Sequence, residues 1–145
     1  MLEITCGEAP FLASRYDAAT GEKIEIENRI GLLDRKLRVV NKNTNDFNEW
    51  FDWTLKAYQS TYGYEYQGDN LLIARINLLL TFIDNLELKW NREPEESELK
   101  KIANIIVWNL WQMDGLTYKI PATESDVKIK DWKENKVLYF KDLFN

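Results

Sequence analysis

Three stretches of this 145-residue chain carry acids and turn residues at places where a small ligand could be held. The first is Leu2-Glu3-Ile4-Thr5-Cys6-Gly7-Glu8-Ala9-Pro10-Phe11-Leu12, which reads as a strand, a tight turn at Gly7 and the start of a helix. The second is Tyr62-Gly63-Tyr64-Glu65-Tyr66-Gln67-Gly68-Asp69, and the third is Trp111-Gln112-Met113-Asp114-Gly115-Leu116. A carboxylate accepts two hydrogen bonds from a ribose diol, and a second accepts one from an exocyclic amine. Glu65 and Asp114 at the ends of successive strands therefore suit a nucleotide-type pocket, with the Gly7 backbone approaching the ligand closely. Each residue also has a plainer reading. Gly7 can be a simple turn glycine, Glu65 the solvent side of a strand, Asp114 a helix exit and Cys6 a small buried hydrophobe.

Composition removes other chemistry. The chain has no histidine and one cysteine, Cys6, so triads, thiol–imidazole pairs, an intrachain disulfide and the usual zinc site are all excluded. No metal site and no catalytic residue is assigned. A net charge of −5 argues against nucleic-acid wrapping by the chain alone, because phosphate binding rests on clustered Lys and Arg. Six Trp residues point to aromatic packing or to an exposed aromatic patch for a partner. No apolar run is long enough for a bilayer and the first residues lack a secretory pattern, so a cytoplasmic protein without membrane contact is expected.

The elements that must position the three stretches follow from periodicity. Length and a 45% apolar content predict one domain over residues 1–145. Leu2 and Ile4 alternate with Glu3 and Thr5 as a short strand, and Pro10 suits the first turn of a short helix over Phe11 to Tyr16. Lys23 to Glu27 reads as an edge strand or an extended loop. Asn28 to Val40 is predicted helical, and Phe47, Trp50, Phe51, Leu55 and Tyr58 mark a second helix capped by Thr44 or Asn45. Tyr62 to Gln67 is predicted as a strand. Asp69 or Asn70 opens a long helix to about Trp90 that is apolar on almost every side, which predicts burial between two layers. An acidic start at Glu95, Glu96 and Glu98 opens the last helix, and two alternating runs around Lys133-Glu134-Asn135-Lys136 predict a closing hairpin.

The same stretches carry a resemblance. Leu2-Glu3-x-x-Cys6-Gly7-x-x-x-Phe11-Leu12 resembles the cofactor-binding first motif of the amino-group (N6-adenine type) DNA methyltransferases of restriction-modification systems. Tyr62-Gly63-x-Glu65, followed by Asp69-Asn70-Leu71 and Ala74-Arg75, is similar to that family's next strand and helix. Asn109-x-x-Gln112-x-Asp114-Gly115-Leu116 resembles its third motif. The resemblance implies S-adenosylmethionine as cofactor, with Glu3, Cys6, Gly7 and Ala9 at the turn, Glu65 on the ribose and Asp114 on the adenine amine. It implies an α/β fold, a truncated Rossmann-like methyltransferase core, helix-rich, with a small mainly parallel sheet and a C-terminal hairpin. Ala9 stands where the family's turn has a second glycine, and Pro10 and Glu8 are further departures.

The family's catalytic loop is a Pro-Pro segment that holds a flipped base. This chain has only the isolated Pro10, Pro94 and Pro121, and Lys130-Asp131-Trp132 stands where that loop is expected. The expectation is therefore a truncated or degenerate member, beginning at the first motif, that is not catalytic alone. Its partner would be a restriction-modification subunit, and direct DNA binding by the chain alone is not expected. The alternative is a phage or mobile-element anti-defence protein, whose acidic, Trp-rich surface blocks a defence nuclease by protein–protein binding. Homo-oligomerisation stays open.

Overall fold

The computed structural model describes residues 2–144. Three short strands, β1 (Leu2–Ile4), β2 (Tyr62–Glu65) and β3 (Leu110–Gln112), form a parallel sheet in the order β1-β2-β3. Leu2, Glu3 and Ile4 register with Tyr62, Gly63 and Tyr64, and Gly63, Tyr64 and Glu65 register with Leu110, Trp111 and Gln112. Side chains alternate across a strand, so Tyr62, Tyr64 and Trp111 share one face while Gly63, Glu65, Leu110 and Gln112 share the other. Gly63 is required by crowding: a Cβ there would lie 3.1 Å from the Cys6 sulfur and 3.2 Å from Leu12 Cδ1.

Parallel strands need long crossovers, and these supply the helices. α1 (Leu32–Asn43) and α2 (Phe47–Gln59) lie between β1 and β2, and α3 (Gly68–Trp90) and α4 (Glu96–Asn109) lie between β2 and β3. Both crossovers step in the same direction across the sheet, and right-handed connections then place both helix pairs on one face. The main core forms there, around Leu12, Leu33, Leu37, Trp50, Phe82 and Ile102. The opposite face is closed by the last third of the chain, where Tyr64, Met113, Val127 and Phe140 pack together. That segment includes the antiparallel hairpin β4 (Lys128–Asp131) and β5 (Lys136–Tyr139), as its alternation predicts, followed by a 3-10 turn over Phe140–Phe144.

Several boundaries differ from expectation for local reasons. Phe11 to Tyr16 is a single turn, with Leu12 and Ala13 N–H both donating to Ala9 O, because Ser14 and Arg15 are drawn into buried polar contacts. Lys23 only bridges to Tyr16, and Ile26–Asn28 is a 3-10 turn. α1 starts at Leu32, since Arg29 is extended and its guanidinium reaches Ile24 O and Asp84. Asp46 caps α2 by accepting from Glu49 N–H, in place of Thr44 or Asn45. α4 opens with the reciprocal Glu95–Glu98 capping box, and Arg92 grips the Glu98 carboxylate with both terminal nitrogens. α3 is not covered on all sides, because Leu72, Ile73 and Ile76 are exposed. Among the described residues no helix is long and apolar enough to cross a membrane.

One buried amide ties these pieces together. Asn109 Nδ2 donates to the carbonyls of Tyr58, Gln59 and Thr61 at 3.0, 3.1 and 2.9 Å, and its Oδ1 accepts from Trp132 Nε1 at 2.7 Å. Truncation strands all four groups in a site that is 1% exposed. Asn109→Ala is expected to cost about 3 kcal/mol and to lower Tm by roughly 10 °C. Asn109→Asp, which keeps the acceptor for Trp132 but loses the donors, should lose a similar amount. A urea midpoint unchanged in either variant would show that this amide is not the tie.

Candidate functional site

The carboxyl ends of the three parallel strands lie side by side, and the predicted site residues divide there into those that meet and those that do not. Gly7 sits past the end of β1 with φ +56°, a conformation glycine adopts readily. Its N–H donates to Glu65 Oε2 at 2.5 Å, and Glu65 Oε1 accepts from Gln67 N–H at 3.1 Å. Glu65, 7% exposed, is thus a clamp between the exits of β1 and β2. A carboxylate offers about four acceptor sites, so this arrangement leaves roughly half of its capacity unused.

Ala9 is fully buried and holds φ +64°, with its N–H donating to Cys6 O at 2.8 Å. An alanine therefore keeps the left-handed backbone that glycine favours, at a cost of about 1 kcal/mol. Cys6 is buried as expected, and its N–H extends the β1–β2 ladder by donating to Tyr64 O at 2.8 Å. Glu3 lies elsewhere, in mid-strand opposite Gly63. Its Oε2 is buried without a hydrogen-bond partner, and burial raises its pKa above the ordinary carboxylate value. It contributes charge to the site from below and does not line the turn.

Asp114 follows β3, next to Met113, whose N–H donates to Glu65 O at 2.9 Å. Its Oδ1 accepts from Leu116 N–H at 2.8 Å, so one carboxylate oxygen shapes its own turn. Asp131 and Trp132 are at the other end of the sheet. Tyr62, which opens β2, donates from its hydroxyl to Lys130 O, whereas Glu65 closes that strand, about 10 Å further on. Asp131 Oδ1 accepts from Lys133 and Glu134 N–H, and Trp132 is fixed on Asn109, so this pair builds the hairpin and is separated from Gly7, Glu65 and Asp114.

A cleft of about 540 Å³ opens beside the Gly7 turn, lined among others by Cys6, Gly7, Phe11, Arg15, Tyr16 and Asn77. Asn77 Nδ2 donates to Glu8 O at 3.0 Å and pins the loop to α3. Arg15 and Arg29 share Asp84 Oδ2 at 3.0 Å each, and Asp34 accepts from the N–H and hydroxyl of Ser14. Sequence reasoning missed these four charged residues. Arg15, Arg29, Asp34 and Asp84 read as surface positions in any periodicity pattern, and no spacing marks them as buried. Arg75 was a weak signal, as part of the second stretch; its Nε and Nη2 donate to Leu110 O and cover the outer edge of β3.

Fold and site together define a small α/β protein in which one carboxylate, Glu65, clamps the exits of the first two parallel strands, and the exit of the third pairs with the Glu65 backbone carbonyl. No protein-family model matches the chain, and neither does any curated protein or solved structure.

The thiol gives this end of the sheet a chemical test. Burial, followed by the nearby Glu3 and Glu65 charges, pushes Cys6 up to about 12. Only the thiolate reacts readily, so Cys6 is expected to resist iodoacetamide at pH 8 in the folded protein and to react once urea unfolds it. The folded pKa lies above the model-peptide value, so unfolding releases the proton between about pH 9 and about 12, and stability falls as pH rises through that window. Cys6→Ala should make that alkaline decline shallower by about 1.4 kcal/mol per pH unit. Rapid alkylation of the folded protein would contradict the placement of this thiol.

Proposed function

We propose that the chain is a methyltransferase-like domain that binds S-adenosylmethionine or a closely related nucleoside and does not catalyse methyl transfer alone. The observation that carries this reading is the hydrogen bond between Gly7 N–H and Glu65, which joins the first and second of the three resembling stretches at one strand end. Asp114 stands at the end of the adjacent strand, in the order the resemblance requires. A monotonic three-strand parallel order is also one half of a Rossmann sheet, so the topology supports this kinship without requiring it.

The acceptors present support this reading. Glu65 has acceptor capacity left for a ribose diol, Asp114 keeps one oxygen for an adenine amine, and Gly7 and Ala9 hold the turn in left-handed backbone. Glu65 is screened by the Thr5–Glu8 loop, so binding at its carboxylate requires that loop to move. Pro10 supplies no N–H there. The lack of a Pro-Pro loop and the distant position of Asp131 and Trp132 favour a role that depends on a protein partner such as a restriction-modification subunit.

A second reading, an anti-defence protein that blocks a nucleic-acid-handling enzyme, is favoured by the net charge of −5 and by apolar side chains left exposed on α3. Calorimetric titration with S-adenosylmethionine separates the two. The first reading expects micromolar affinity, weakened about tenfold or more by Asp114→Asn and abolished by Glu65→Ala, each variant being checked for folding by circular dichroism. No heat at millimolar ligand removes it. The second expects stoichiometric recovery of a nuclease or another defence protein on co-purification, and elution alone at every salt concentration removes that.

A further inference from the structure

α3 carries two apolar faces and only one is used. At 3.6 residues per turn, Leu71, Leu78 and Phe82 point into the core, and all three are buried. Leu72, Ile73, Ile76, Leu80 and Ile83 fall on the opposite arc. Leu72, Ile73 and Ile76 are 59, 39 and 46% exposed, and Leu80 and Ile83 are part-buried. Ile83 packs partly against the core, but Leu72, Ile73 and Ile76 do not belong to it, since the core forms from the other side. A contiguous apolar stripe on a surface helix marks a place of association.

Charge decides what can cover it. Asp69 and Glu87 lie on the same arc at either end, both exposed. Beyond Glu87 a shallow cleft of about 480 Å³ has Ile83, Pro94 and Leu99 among its lining residues, together with the carboxylates of Glu87 and Glu93. Arg92 also lines this cleft, with its charge balanced by Glu98, and Arg75 lies off the arc, turned to Leu110 O. The stripe is therefore apolar along its length and acidic at its ends. A second copy docked antiparallel by a two-fold axis would set Asp69 of one chain against Glu87 of the other, which is repulsive. Anionic membranes are disfavoured for the same reason.

We infer that the outer arc of α3 is a docking face for an amphipathic helix of a partner protein, whose apolar stripe is flanked by Lys and Arg. The partner's apolar side chains cover Leu72, Ile76 and Leu80, and a basic residue at one end enters the cleft between Glu87 and Glu93. The inference is independent of cofactor binding and holds under either reading of function.

The probe is a fluorescein-labelled peptide of Leu and Lys placed at helical spacing, followed by anisotropy on the full chain. Two comparison peptides are needed, the same composition scrambled and the Leu/Glu analogue. The helical Leu/Lys peptide is expected to bind at least about tenfold more tightly than either. Leu72→Glu and Ile76→Glu, at exposed positions where the fold tolerates the change, should abolish binding with an unchanged urea midpoint. Glu87→Lys should weaken it about tenfold. Equal binding of the scrambled peptide, or unaltered binding by Ile76→Glu, overturns the inference. So does a dimer of the parent chain in sedimentation that Ile76→Glu dissociates, or association with phosphatidylcholine vesicles that Leu72→Glu abolishes, since each gives the face to a different occupant.

Discussion

The side-chain amide of Asn109 is the constraint on which the sheet depends. β2 has four residues and β3 has three, so their ladder supplies few hydrogen bonds, and strands this short do not fix their own register. Asn109 is the last residue of α4, immediately before β3, and it holds the carbonyls at the α2-to-β2 corner. The entry points of two adjacent strands are thereby set relative to each other before either ladder begins. Through Trp132 the same amide also anchors the hairpin against the helix layer. A buried polar group confers this specificity only when all of its partners are present, and here donor and acceptor sides are both engaged.

At the far end of the sheet Glu65 does the corresponding work with a charge. A carboxylate that accepts two backbone N–H groups orders the Gly7 turn far better than a neutral residue could. The cost is electrostatic. Glu3 lies nearby with an unpartnered buried oxygen, and burial, aided by the two acids, holds the Cys6 thiol in its neutral form. The strain at Ala9 belongs to the same turn. Backbone held in a left-handed region by a non-glycine residue persists because surrounding contacts over-determine it, as the Cys6 carbonyl and the packing of Ala9 do here.

Much of this was legible in the amino-acid sequence, and the reasons for the failures are physical. α2, α4 and the terminal hairpin are visible because each has a clean period, and α3 because a long apolar run meets a clear stop at Asn91 and Pro94. The Gly7, Glu65 and Asp114 turns are visible as short punctuated stretches, and the first two do meet. What periodicity cannot show is where an arginine will bury itself. Arg29 is nearly solvent-free, and by reaching for Asp84 on α3 it removes the first turn of the expected helix from Asn28. Pro10 is a correct sign of a helical turn, but the draw of Ser14 toward Asp34 ends that turn at once. Glu3 illustrates the opposite error. Adjacency in sequence put it with the turn residues, whereas strand alternation turns its side chain to a half-buried mid-strand position.

α3 shows best how a pattern can be read correctly and interpreted too narrowly. A helix apolar on every side needs two neighbours, and the sequence pattern predicts both within the chain. Within the described residues one neighbour is internal, the core, and the other face is open. Asn77 lies between the two faces, one turn from Ile73 and from Leu80, and its side chain holds the Glu8 carbonyl of the Gly7 loop. α3 is therefore a rigid connection between the loop that guards Glu65 and the stripe that is free to associate. A partner helix seated on the stripe acts on the same element that pins the loop, so association and access to the clamped carboxylate are coupled to the extent that docking shifts α3. If docking moves nothing, the two sites are independent despite being a single helix turn apart, because proximity without a differential contact transmits no free energy.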